Sequence, residues 1–166
     1  RGKAGQMMLN SASLERVDAL DFAKRFNANV IVTAAGASGM PDGEEERVTN
    51  ASSMVEAALE RGIAIQGIFI DPLVFPISVN DEFGNHCFKA IQTLRGRFGP
   101  EIHIAGGFSN VSFGIPSRRL VNDVFLNLAV EAGADSGIID PVTSHLEEVF
   151  TLDRETKPYR LAEDML

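Results

Sequence analysis

Polar side chains that follow short apolar runs are the places where this chain could do chemistry: Asn10, Asp71, the Ser109-Asn110 pair and Asp140. In Ile68-Phe69-Ile70-Asp71-Pro72-Leu73 a carboxylate stands at a predicted strand tip, and Pro72 disfavours helical geometry at the residue before it. Such a carboxylate can accept two parallel hydrogen bonds from an amidine-like edge. The alternative is an Asp that only caps a turn or the next helix. Gly106-Gly107-Phe108-Ser109-Asn110-Val111-Ser112 is the most informative run. Its two glycines allow the backbone to approach a ligand closely, and Ser109 and Asn110 offer donors and acceptors at the rim. A glycine-eased turn or a phosphate-binding loop late in a barrel would look similar.

Other combinations carry less. His86, His103 and His145 lack metal-ligand spacing, so no metal site is expected. His86-Cys87 pairs an imidazole with a thiol, but at the start of a helix whose Phe88 and Ile91 face the core. Asp135-Ser136-Gly137 falls inside a predicted strand, with no histidine pattern to support a nucleophile. Glu44-Glu45-Glu46 suits a solvated helix N-terminus, where acidic side chains complement the dipole.

The elements that must position these residues alternate. Short apolar runs predict buried strands at 6–9, 29–33, 65–70, 102–105 and 136–139, each closed by a turn signal. Polar and apolar residues hardly alternate within them, as expected of strands covered on both faces. Helical spacing predicts helices at 14–26, 49–61, 85–98 and 120–132, with a last one from Pro158 to Leu166. Ser13 is available as an N-cap for the first, and Gly62 and Gly133 are placed to end the second and fourth.

Repeated strand–helix order implies right-handed crossovers and a parallel sheet. No Gly-x-Gly-x-x-Gly follows a strand, which removes the best marker of a dinucleotide fold. The polar residues past the strand ends favour a (β/α) barrel, whose sites form on that face. A complete barrel has eight strands and typically about 250 residues. The expectation is therefore one partial domain over 1–166, cut at both ends, with about five βα units corresponding to strands 4–8.

The bulk composition narrows the partners. A hydrophobic share of 45% with 23% charged residues is that of an ordinary globular protein. A net charge of −8 argues against a nucleic-acid partner, whose phosphates need excess Lys and Arg. No run approaches the roughly 18 apolar residues of a membrane span. The single Cys87 allows no intrachain disulfide, which suits the cytoplasm.

The run Ser109-Asn110-Val111-Ser112, followed by Arg118, Leu120 and Asn122, resembles the seventh-strand signature of the methyltetrahydrofolate:corrinoid methyltransferases. The folate domain of cobalamin-dependent methionine synthase shares that signature. The resemblance covers nearly the whole chain. Leu9-Asn10-Ser11 is similar to the family's fourth strand, Gly39-Met40-Pro41 to its fifth loop, and Ile70-Asp71-Pro72-Leu73 to its sixth strand. Ala132-Gly133-Ala134-Asp135 with Ile138-Ile139 is similar to the approach to the eighth.

By this resemblance Asn10 and Asp71 hydrogen-bond a pterin ring, Asn110 lies beside its N5 as the catalytic residue, and Arg118 is near the ring. Gly107, Ser109 and Ile139 complete the substrate-binding set. The implied substrate is methyltetrahydrofolate, and the implied partner is a corrinoid protein that carries the cobalt. Nothing here resembles the Asp-x-His-x-x-Gly motif of a corrinoid-binding protein. Phe113 is a departure, because family members often place a polar residue there.

The resemblance leaves two rivals. A dihydropteroate synthase, similar in fold and pocket, would be expected to show a Lys near the seventh strand tip, and residues 101–117 contain none. The other is an inert barrel fragment that hides its open sheet edges by self-association into a homo-oligomer.

Overall fold

The computed structural model describes residues 5–140 and 146–166. Its centre is a parallel sheet of β1 (Met8–Ala12), β2 (Asn29–Thr33), β3 (Ile68–Asp71) and β4 (His103–Ile104), ordered as in the chain. Helices α1 (Ala19–Arg25), α2 (Glu44–Glu60) and α3 (Phe83–Phe98) connect consecutive strands. After β4 come a 3-10 turn (Phe108–Ser112), α4 (Arg118–Ala132), the short α5 (Leu146–Val149) and α6 (Lys157–Glu163). The architecture is α/β with a parallel sheet and alternating helices, consistent with part of a (β/α) barrel.

The helices cover one face of the sheet. Val30, Val32, Ile68, Ile70 and Ile104 point to that side and are fully buried. Against them pack Met54, Val55 and Ala58 of α2, Cys87, Ile91 and Leu94 of α3, and Val124 and Phe125 of α4. A fully buried Leu, Ile or Val stabilises the fold by roughly 1.5–3 kcal/mol, so these stripes explain why helices of modest length persist. Gly62 and Gly133 end α2 and α4 at φ 71° and 120°, a region that disfavours a side chain.

The second, third and fourth predicted strands are present, but boundaries moved. β2 matches its predicted range, while 65–67 form a 3-10 turn before β3. The first strand runs further than expected, to Ala12, because pairing with β2 carries it past Asn10 through an irregularity between Asn10 and Ala12. Helix α1 is shorter than expected. The Ser13 carbonyl accepts the Arg16 N–H in a turn instead, and Asp18 rather than Ser13 precedes the helix.

The predicted fifth strand, 136–139, is a correction: among the described residues the sheet has four strands. The segment does run beside β4, with Ser136 and Ile138 N–H donating to the carbonyls of Ile104 and Gly106. The reciprocal bond is missing because the Asp135 carboxylate accepts the Ile104 N–H at 3.0 Å, the donor that a neighbouring strand's carbonyl would use. Pro141 and His145 lie outside the described residues.

Candidate functional site

Strand register sorts the candidate residues by face. Asn10 pairs with Ile31, Ile31 with Phe69, and Phe69 with His103, so these form one lateral row. Thr33 and Asp71 stand in the next row towards the strand C-termini. Both rows point away from the helices, since neighbours in register share a face. Asn10 and Asp71 therefore face the same side, on strands separated by β2, about 10 Å across the sheet. Phe69 and His103 stack with ring centroids 4.4 Å apart and fill the lower row.

Asp71 is held in a tight turn. Its Oδ1 accepts the Leu73 N–H at 2.9 Å, and Leu73 has φ 66°. Burial raises the Asp71 carboxyl above the ordinary carboxylate range, while the Leu73 N–H acts in the opposite direction. The turn reading and the ligand reading of Asp71 are thus compatible, because each carboxylate oxygen can accept more than one donor.

Asn110 lies in the 3-10 turn after β4. Its N–H donates to the Gly107 carbonyl at 3.0 Å, and a β-carbon on Gly107 would stand 3.2 Å from the Asn110 amide nitrogen. Gly107 therefore eases the close approach of the Asn110 side chain and is not required for positive φ, since its φ is −83°. The Arg118 guanidinium braces the same turn, donating to Ser112 Oγ at 2.9 Å and to the Ser109 carbonyl at 3.1 Å. It also lies 4.4 Å from the centroid of Phe113. The aromatic departure noted in the sequence thus supplies a cation–π platform for Arg118.

The loops after β3 and β4 are joined. Ile77 N–H donates to the Val111 carbonyl at 3.0 Å, and the Ser78 hydroxyl to the Phe113 carbonyl at 2.6 Å. The loop that follows Asp71 and the loop that contains Asn110 are therefore joined rather than independent.

Ser109, Arg118 and Ile139 line a common groove of about 470 Å³ with Phe108, Phe113 and Asn122. Asn122 Oδ1 is buried there without a hydrogen-bond partner among the described residues. Asn10, Asp71, Gly107 and Asn110 do not line that groove. The first two stand on the sheet face, and the others form the turn that supplies its Phe108 and Ser109 wall.

Sequence reasoning missed Arg47, which is fully buried in the first turn of α2. Its Nε donates to the Leu73 carbonyl at 3.4 Å and its Nη1 to the Gly43 carbonyl at 2.9 Å. The only signal was its position at the end of an acidic run. Burial lowers the affinity of this guanidinium for its proton, against the attraction of Cys87 and Glu46. Burial also pushes the Cys87 thiol up to about 12, so it stays protonated at neutral pH, which removes it as a nucleophile.

Among known proteins, the pterin binding enzyme family matches residues 2–140. A methylcorrinoid:tetrahydrofolate methyltransferase of Eubacterium limosum is 40% identical over 108 residues, which cover 64% of this chain and 39% of that protein. The methionine synthase of Mycobacterium tuberculosis is 31% identical over 167 residues, covering 90% of this chain and 13% of its own length. That of Mycobacterium leprae is 28% identical over 173 residues, covering 95% and 14%. The chain thus spans well under half the length of each of these relatives. With the match running through the Asn10, Asp71 and Asn110 segments, the chain belongs to the pterin-binding enzyme family.

Proposed function

We propose that this chain forms part of a methyltransferase that moves the N5 methyl group between methyltetrahydrofolate and the cobalt of a corrinoid protein. Similarity to a methylcorrinoid:tetrahydrofolate methyltransferase and to methionine synthases supports the reaction class. The single observation that carries the site is the joined pair of loops presenting Asp71 and Asn110.

In this reading Asp71 and Asn10 orient the pterin. The Asp71 carboxylate accepts from the ring's amidine-like edge, and the Asn10 amide hydrogen-bonds its far side. Asn110 serves the reacting nitrogen. A tertiary amine leaves poorly, so N5 takes a proton from solvent before or as the methyl passes to cobalt, and positive charge develops at N5 as that proton arrives. A neutral amide held over Gly107 can hydrogen-bond N5 and stabilise that charge without forming an ion pair. Such a group contributes on the order of 10²–10³ in rate. Ser109, Arg118 and Ile139 border the adjoining groove and enclose the substrate beyond the ring. The corrinoid, brought by its own protein, supplies the methyl acceptor or donor.

Asn110→Ala tests this directly. Methyl transfer should fall about 100-fold or more, with methyltetrahydrofolate affinity reduced far less. Equal losses in both would assign Asn110 to binding alone.

The open edge of the sheet among the described residues also supports association. β1 is an edge strand, and Met7, Met8, Phe22 and Phe26 beside it are about half exposed around an apolar groove of about 310 Å³. A second copy of the chain covering this edge is part of the proposal.

A further inference from the structure

We infer that Arg47 is a positioning residue for the pterin-facing carboxylate, clamping the Asp71–Leu73 turn from behind. The inference rests on the proposed role of Asp71.

The placement of Arg47 is unfavourable by every simple measure. Its side chain is fully buried, and no carboxylate pairs with it among the described residues. It sits in the first turn of α2, where the helix dipole disfavours a cation. Its Nη2 has no hydrogen-bond partner among the described residues. A buried charge held this way needs compensation.

The compensation comes from two carbonyls and two rings. Nε reaches Leu73 O and Nη1 reaches Gly43 O, while the guanidinium carbon lies 4.7 Å from the Phe75 centroid and 5.9 Å from that of Phe83. Phe75 and Phe83 pack edge to face at 5.3 Å, which fixes that platform. Leu73 and Phe75 belong to the loop that follows Asp71. Gly43 ends the loop that follows β2.

Leu73 is consequently held at both ends of its backbone. Asp71 Oδ1 takes its N–H and Arg47 takes its carbonyl. A leucine at φ 66° is costly on its own, so the two contacts together keep the turn closed. The turn in turn fixes the rotamer of Asp71. A planar fork is required, because one lysine ammonium cannot cover both carbonyls with the same geometry.

The test compares the wild-type chain with Arg47→Lys and Arg47→Met. Nuclear magnetic resonance follows the Leu73 amide shift as the Asp71 carboxyl titrates, and calorimetry follows methyltetrahydrofolate affinity. In the wild type the Leu73 amide should titrate with Asp71. In Arg47→Lys that coupling should weaken, with affinity down about 10-fold. Arg47→Met should lose the coupling altogether.

A folded Arg47→Lys chain with wild-type coupling overturns the inference, even where Arg47→Met fails to fold. If the wild type does not bind methyltetrahydrofolate, the reading of Asp71 as a pterin ligand fails for this chain by itself, which is then an inert part of the barrel. The amide titration still decides whether Arg47 sets the turn.

Discussion

Asn110 folds back onto Gly107: its N–H meets the Gly107 carbonyl, and its side-chain amide nitrogen would stand 3.2 Å from any β-carbon placed there. Gly107→Ala should therefore move the Asn110 amide by a few tenths of an ångström without backbone strain, since φ −83° and ψ 71° remain accessible. Methyl transfer should drop about 10-fold, while unfolding free energy changes by under about 0.5 kcal/mol. Single-turnover kinetics with a corrinoid partner, beside thermal unfolding, checks both. Undiminished transfer would separate Asn110 from the reacting nitrogen.

Asp71→Asn should raise stability and weaken binding together. Burial makes the folded Asp71 carboxyl bind its proton more tightly than the unfolded one does. Its stabilising contribution is therefore complete below the ordinary carboxylate value and is lost as pH rises through the raised one. At neutral pH the ionised group is a cost, which the amide removes while keeping an oxygen for Leu73. The variant should melt higher than wild type near neutral pH and lose that advantage in acid. Methyltetrahydrofolate affinity should fall roughly 10- to 100-fold, from lost bonds to a charged acceptor worth about 1.5–3 kcal/mol. A melting temperature that falls at neutral pH would contradict this account.

Cys87 should resist alkylation in the native chain. It is fully buried among α3 contacts, with its thiol raised to about 12. Iodoacetamide labelling near neutral pH, followed by intact mass, should proceed only as denaturant unfolds the chain. Complete labelling of folded protein within minutes would show that the α3 packing opens locally.

The chain should associate with itself through β1. Light scattering should give a dimer or larger species, burying over roughly 1,000 Å² in total. Phe22→Glu together with Phe26→Glu should shift it towards monomer. A monodisperse wild-type monomer would remove the second copy from the proposal.

Helix faces and most strand positions were legible in the sequence because they rest on local periodicity. Phe88, Ile91 and Leu94 recur at helical spacing and pack in or against the core, and Val30-Ile31-Val32 is an apolar run followed within a few residues by small ones. Asn10, Asp71 and Asn110 were legible as polar residues near strand ends. Boundaries were less so: β1 extends through Asn10 because its partner strand, not its own composition, sets where pairing stops.

By itself, then, the sequence determined the order of strands and helices, the parallel sheet and the family resemblance, all of which follow from patterns within a few consecutive residues. Only the tertiary structure decided what stands beside what. Asp135 takes the Ile104 N–H and leaves 136–139 outside the sheet, and Phe113 carries the Arg118 guanidinium. Arg47, whose neighbours Glu44, Glu45 and Glu46 suggest a solvated helix end, is buried beneath the Asp71 turn. The physical reason is common to all three. Each contact joins residues from different segments, and its energy depends on burial and distance, which no local pattern of residue types encodes.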